Sequence, residues 1–172
     1  MKVCTFAGHA DITQDEKNLI KPKLKSEIIR LIKKENVDTF YCGDRGSFDK
    51  LCSVCLKEIK NDYPFIKSFL VMSYMPGKKS ESDLDPYSEY DGSIYPDLEN
   101  TPPRFAIIKR NEWMICKSDF LITYITHKYG GAYRTLKYAK KKKHIQILYL
   151  YNCISEKATV WAIMYGMFIF NQ

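Results

Sequence analysis

Residues 118–139 read SDFLITYITHKYGGAYRTLKYA, an apolar run followed by a glycine pair and a lysine-bearing segment. The run from Phe120 to Ile125 predicts a buried β-strand, and the segment that follows Gly130 and Gly131 predicts a helix. Glycines at such a junction let the backbone approach a ligand closely, and a helix N-terminus offers unpaired N–H groups to an anion. The junction is typical of an α/β sheet that binds a phosphate or a nucleotide.

The rest of the chain repeats this alternation of strand and helix. Further apolar runs predict strands at residues 3–7, 37–42, 66–75 and 144–150. Amphipathic segments predict helices at residues 16–35, 50–61, 104–117 and 131–143, and Pro22 is expected to mark a break or a first helical turn. Nearly continuous apolar strands between helices indicate a parallel sheet that is covered on both faces. We therefore predict an α/β fold, a Rossmann-like three-layer sandwich whose mostly parallel sheet has about five or more strands.

Length and composition predict one globular domain over residues 1–172. The chain has 45% hydrophobic and 14% aromatic residues, which excludes a disordered class. Its N-terminus lacks a basic and then apolar leader, so we expect a cytoplasmic protein.

The cysteines and histidines do not predict a metal site. Cys52 and Cys55 form a CxxC, but no second ligand pair follows it, so we expect reduced thiols that pack in the core. The three histidines, His9, His127 and His144, are scattered, although His9 and His127 follow predicted strands and are alternative ligand contacts. No metal and no cofactor is expected.

The formal net charge of +7 is compatible with an anionic partner, either a nucleotide, a nucleic acid or a membrane surface. Charge alone does not choose among these three. The run from Lys140 to Lys143 is interpreted as a solvated helix end, where cations also favour the helix dipole.

Two segments lie outside this pattern. Residues 76–103 form a long polar insertion rich in tyrosine and acidic residues, either a lid over a ligand or a surface excursion. Residues 154–170 are apolar but too short for a confident membrane span. They predict a final helix that packs on the sheet or joins copies of the chain in a homo-oligomer; a membrane contact is the minor alternative.

Three loops that follow predicted strands carry small and polar residues. They are Gly8-His9, Gly43 to Asp49, and Gly130 to Thr135. Ligands of parallel sheets bind beyond the carboxyl ends of the strands, so we expect the three loops to converge on one site.

These residues resemble the SLOG superfamily, which includes the lonely-guy phosphoribohydrolases, the DNA-processing protein DprA and YpsA-like proteins. The resemblance covers roughly residues 3–150 and is greatest to the YpsA-like branch. It is carried by Gly8-His9, Gly43-xx-Gly46-x-Phe48-Asp49, Arg110-Asn111-xx-Met114-xxx-Ser118-Asp119 and Gly130-Gly131. It implies a pocket for nucleotides or nucleotide-derived ligands, in proteins that often act as sensors or accessory modules.

The lonely-guy enzymes resemble the later part of the chain, with three departures: the third glycine of their turn is missing, the turn holds an extra residue, and their catalytic glutamate is replaced. Residues that match their pattern are Arg110, Met114, Asp119, Gly130, Gly131 and Thr135, whereas Tyr138 stands where they have a catalytic glutamate. Cleavage of an N-glycosidic bond needs a carboxylate to stabilise an oxocarbenium-like state, and tyrosine does not supply one. The resemblance thus implies that the protein binds such a ligand without the family's usual means of cleaving it. Arg110 is a catalytic candidate only because a guanidinium is suited to hold a phosphate.

Three hypotheses follow. The first is a nucleotide-binding sensor or accessory module, with a ligand held by Gly8, His9, Gly43, Asp44, Gly46, Asp49, Arg110, Asn111, Asp119, Gly130, Gly131 and Thr135. The second is an N-glycoside hydrolase or transferase related to the lonely-guy enzymes, with Asp44, Asp49 or an acidic residue of the 76–103 insertion as a substitute carboxylate. The third is single-stranded nucleic-acid binding as in DprA, which fits the basic charge and the aromatic residues.

Overall fold

The computed structural model describes residues 1–75 and 89–151. In them, six strands form one sheet in the order β4-β3-β2-β1-β5-β6, and every neighbouring pair is parallel. The strands are β1 (Lys2–Gly8), β2 (Val37–Cys42), β3 (Lys67–Val71), β4 (Gly92–Ile94), β5 (Phe120–Tyr124) and β6 (Gln146–Tyr149). The predicted Rossmann-like α/β fold is confirmed.

Helices cover both faces of this sheet. They are α1 (Gln14–Glu35), α2 (Ser47–Lys60), α3 (Pro103–Cys116) and α4 (Gly130–Ala139). Helix α1 packs against α2 and α3 packs against α4. Alternate residues of β1 enter the two cores, since Phe6 packs with the α1–α2 layer and Ala7 with the α3–α4 layer. The result is the predicted three-layer sandwich.

The chain reverses its direction across the sheet beside β1. From β1 it proceeds outward through β2, β3 and β4, and it then crosses to β5 and β6 on the other side of β1. A crevice opens at the carboxyl ends of the strands where such a reversal occurs, between β1 and β5 in this sheet.

Helix α1 continues through Pro22 without a break, contrary to the expectation that proline would interrupt it or lie in its first turn. The helix begins with a capping box in which the Thr13 side chain accepts a hydrogen bond from the Glu16 N–H at 3.2 Å. It ends at Asn36, whose φ is 57°. Its buried side chains, Ile20 and Leu24 among them, fall on both sides of Pro22, so packing outweighs the local cost of proline.

The insertion predicted at residues 76–103 contains a strand that was not predicted. Strand β4 joins the edge of the sheet beside β3, and Asp91 holds it there by accepting a hydrogen bond from the Ser68 N–H at 2.6 Å. Residues 76–88 of the insertion and the apolar segment 154–170 lie outside the described residues. Within the described ranges, no helix is both long and apolar enough to cross a membrane.

Candidate functional site

A cleft of about 360 Å³ opens at the crevice between β1 and β5. Its walls come from the end of β1, the loop after β2, the inner face of α3 and the turn that begins α4. Eight of the twelve predicted site residues line this cleft, which we call the glycine cleft: Gly8, His9, Gly43, Asp49, Arg110, Asn111, Gly130 and Gly131. The three predicted loops therefore do converge; the ligand contacts assigned to them remain predictions.

The N-terminus of α4 forms one wall of the glycine cleft. Gly130 has a φ of 83°, a conformation that favours glycine, and Tyr129 is the N-cap. Among the described residues, no side chain caps this terminus, its first turn holds no acidic residue, and no atom lies within 4 Å of a Cβ built at Gly130 or Gly131. The first N–H groups of α4 and its positive dipole end thus face open space, which suits an anion.

Arg110 forms the opposite wall from α3 and is 1% exposed. Its Nη1 donates a hydrogen bond to the Val71 carbonyl at 3.1 Å, and its Nη2 lies 3.3 Å from Oδ1 of Asp44. Its Nε is buried and has no hydrogen-bond partner among the described residues. Burial lowers the pKa of Arg110, while the charges of Asp49 and Asp44 oppose this effect. An arginine remains protonated in proteins, so the wall carries a cation with an unused donor.

Gly43 allows Arg110 and Asp49 to approach each other. A Cβ built at Gly43 would lie 2.6 Å from Nη1 of Arg110 and 2.6 Å from Oδ2 of Asp49, so a side chain there would have to displace one of these two groups. Asp49 in turn accepts a hydrogen bond from the Arg45 N–H at 2.9 Å, which closes the loop after β2. Burial raises the pKa of Asp49 to about 6 even though Arg110 favours its charged form. This carboxyl therefore repels an anion less than an ordinary aspartate would.

Three aromatic rings form a stack at the rim of the cleft. His9, at the end of β1, lies 3.4 Å from His127 between ring centroids, and His127 lies 3.8 Å from Tyr129. The His127 N–H donates a hydrogen bond to Nε2 of His9 at 3.3 Å. Burial, followed by the neighbouring His127, lowers the pKa of His9. The stack ends in Tyr129, which is 70% exposed, so one aromatic face is available beside the cleft.

His9, Asp11 and His127 form the metal-ligand candidate among the described residues, with ligand atoms within 4.8 Å of one another. The two imidazole planes, however, differ by only 20° and are stacked face to face. A ligating nitrogen holds its metal in the plane of its own ring, and two stacked rings have no common point there. This arrangement therefore does not suit one ion.

Two predicted site residues support the cleft from outside it. Thr135 donates a hydrogen bond to the Gly131 carbonyl at 3.0 Å and accepts one from Nδ2 of Asn111 at 3.1 Å, which ties the first turn of α4 to α3. Gly46 has a φ of 126°, and a Cβ there would lie 2.5 Å from Cα of Ala10. These two residues fix the shape of the walls and do not line the cleft.

The last two predicted residues lie further away. Asp44 does not line the cleft, but it forms ion pairs with two residues that do, Arg110 at 3.3 Å and Arg45 at 3.5 Å. Asp119 precedes β5 and therefore lies at the amino ends of the strands, opposite the cleft. There it accepts a hydrogen bond from the Val3 N–H at 2.8 Å. Its position indicates a role in joining β1 to β5.

A second depression, of about 730 Å³, lies between α3 and α4. We call it the basic groove, and its lining residues are Phe105, Ile108, Lys109, Glu112, Lys128, Gly130, Tyr133, Arg134, Lys137, Tyr138 and Lys141. Gly130 also lines the glycine cleft, so the two depressions are adjacent. Tyr138 lines this groove and not the cleft.

Sequence reasoning missed the basic groove and Tyr129, and it offered His127 only as an alternative contact. Tyr129 could have been identified from its position in the sequence, directly before the glycine pair. The groove has no comparable signal, because its cations come from α3, from the segment before α4, from α4 itself and from the turn after it.

Neither a protein-family model nor a curated protein matches this chain. Among solved structures, the chain is similar to DNA processing protein A from Streptococcus pneumoniae, with a TM-score of 0.63 and 13% identity over 96% of this chain and 56% of that one. It is also similar to DNA processing protein A from Helicobacter pylori, described for its single-stranded DNA binding mode, with a TM-score of 0.54 and 17% identity over 99% of this chain and 76% of that one.

These similarities concern the fold. The chain spans just over half the length of the S. pneumoniae protein, 56%. Of the SLOG branches named above, these two solved structures belong to DprA proteins, and no protein-family model supports the YpsA-like or the lonely-guy branch. The chain thus shares the Rossmann-like fold of the DNA processing proteins.

Proposed function

We propose that this protein binds single-stranded nucleic acid and that the glycine cleft holds one phosphate of the strand. One observation carries the proposal: the uncapped N-terminus of α4 and the buried guanidinium of Arg110 line the same cleft. Backbone N–H groups at a helix N-terminus and a guanidinium are the donors that proteins use for phosphate oxygens.

The unpartnered Nε of Arg110 supports an anionic ligand. A buried donor without an acceptor costs about 1–3 kcal/mol, and a phosphate oxygen would remove that cost. Below about pH 6, protonation of Asp49 acts in the same direction, because it removes a negative charge from the cleft wall.

The wider surface favours a nucleic-acid strand over an isolated phosphate. The chain carries a formal net charge of +7, and its exposed Tyr129 ring beside the cleft is suited to stack on an unpaired base. The H. pylori protein with the same fold binds single-stranded DNA, which is consistent with this choice.

A free nucleotide or nucleotide-derived ligand is the second candidate. The cleft volume of about 360 Å³ is within the range of small-molecule sites, and this observation favours it. The groups that bind phosphate would be the same, and the protein would then act as a sensor or accessory module.

Fluorescence anisotropy with a labelled oligothymidylate of about 20 nucleotides tests the proposal. We expect saturable binding that weakens steeply with salt, weaker binding to a duplex of equal length, and poor competition by thymidine monophosphate. Competition by a mononucleotide at equal affinity would favour the second candidate. Absence of binding by both ligands would contradict the proposed function in either form.

A further inference from the structure

Resting on the proposed function, we infer that the basic groove between α3 and α4 receives the nucleotides that follow the phosphate in the glycine cleft. Gly130 lines both depressions, so a strand that leaves the cleft at the start of α4 enters the groove directly. The glycine cleft then holds one phosphate, and the groove distinguishes a polymer from a free nucleotide.

One stripe along α4 forms the floor of the groove. Tyr133, Lys137 and Lys141 recur every four residues and so lie above one another on one side of the helix and its C-terminal turn. Helix α4 has 10 residues and is about 15 Å long, so the stripe extends well beyond the cleft. A ligand that follows it must be extended, as a single strand is.

The groove carries an excess of positive charge. It is lined by five cations, Lys109, Lys128, Arg134, Lys137 and Lys141, and by one carboxylate, Glu112. Among the described residues, the ion pair on this lining joins Lys109 to Glu112 at 2.8 Å. The other four cations are therefore available to successive phosphates of a strand.

Aromatic side chains line the groove together with these cations. Phe105 is 41% exposed, and Tyr133 has the Lys137 ammonium 5.8 Å from its ring centroid. Cations bind the phosphates of a single strand and aromatic faces stack on its bases, and such stacking does not depend on sequence. An acidic peptide would engage the cations alone, so the aromatic lining favours nucleic acid.

A pair of double variants tests the groove in the full chain. Lys137→Gln with Lys141→Gln removes two groove cations, whereas Lys23→Gln with Lys34→Gln removes two exposed cations from α1 on the opposite face of the sheet. Both lose the same charge, and thermal unfolding checks that each remains folded. Oligothymidylate binding is then followed by anisotropy as a function of salt.

We expect the groove variant to bind at least about tenfold more weakly near 0.1 M salt and the slope of log K against log salt to become shallower by about 1.4, because each phosphate contact contributes about 0.7. The α1 variant should retain the wild-type slope. If the wild-type protein binds the oligonucleotide and the two double variants have equal affinities and salt slopes, the groove does not receive the strand. The proposed function would then still stand.

Two further outcomes would also overturn the inference. If the wild-type protein binds no oligonucleotide, the groove and the proposed function fail together. If polyglutamate of equal charge competes as well as oligothymidylate does, the groove is a surface for acidic peptides.

Discussion

Substitution of Gly131 by aspartate should strengthen the fold and weaken nucleic-acid binding. No described atom lies within 4 Å of a Cβ at this position, so the side chain fits without displacing a neighbour. A carboxylate in the first turn of α4 interacts favourably with the helix dipole by about 0.3–1 kcal/mol. Removal of a glycine from a helix contributes about 0.5–1 kcal/mol more, through the lower entropy of the unfolded chain.

The same carboxylate would face the phosphate proposed for the cleft. Two like charges about 4 Å apart repel by about 1 kcal/mol in water and by about 4 kcal/mol at the effective dielectric constant of a protein surface. Gly131→Asp should therefore weaken oligothymidylate binding by a factor of about 5 to about 1000.

Gly131→Asn is the matched control, because asparagine has the same shape without the charge. Urea denaturation measures the free energy of unfolding, and fluorescence anisotropy measures binding. If the aspartate and asparagine variants bind equally well, an anion is not bound at the N-terminus of α4. If the aspartate variant unfolds more readily than the asparagine variant, the dipole argument is wrong.

Three other predictions concern the remaining walls of the cleft. Gly43→Ala should lower the free energy of unfolding by about 1–3 kcal/mol, measured in urea, because its Cβ would meet Arg110 and Asp49; an unchanged value would contradict this packing. The wild-type free energy of unfolding should contain a component that falls as pH rises from 3.8 to about 6, because folded Asp49 holds its proton more tightly than unfolded Asp49 does. Asp49→Asn should lose that component in urea denaturation across this pH range, and an identical pH profile would refute it. Tyr129→Ala should weaken oligothymidylate binding about fivefold or more, since a stacked base contributes about 1–3 kcal/mol, while Tyr129→Phe should retain wild-type binding. If the alanine and phenylalanine variants give equal anisotropy titrations, no base stacks on the Tyr129 ring beside His127.

Local patterns were sufficient for most of the fold because they report how each segment buries its apolar side chains. The strand predicted at residues 37–42 has the bounds of β2, and the helix predicted at residues 104–117 differs from α3 by one residue at each end. Pro22 and β4 show where such patterns fail. Burial of α1 on both sides of Pro22 overrides a local helix breaker, and β4 has only three residues, held at the edge by Asp91.

The candidate site was predictable in the part that depends on topology. Loops that follow parallel strands must all lie at the carboxyl ends of those strands. Gly8, Gly43 and Gly130 were therefore expected to meet, and they line one cleft. Asp119 precedes its strand and lies at the amino ends of the strands for the same reason. The ligand itself is not determined by this rule.

The amino-acid sequence by itself determined the strand and helix alternation, the three-layer class and the edge at which the loops gather, since these follow from periodicity and from glycine positions. Only the tertiary structure decided how side chains from distant segments meet. His9 and His127 stack across 118 residues of sequence, and Arg110 is enclosed between Val71 and Asp44. The cations of the basic groove come from two helices, from the segment between them and from the turn after α4. Such contacts depend on the packing of whole elements, which no local pattern encodes.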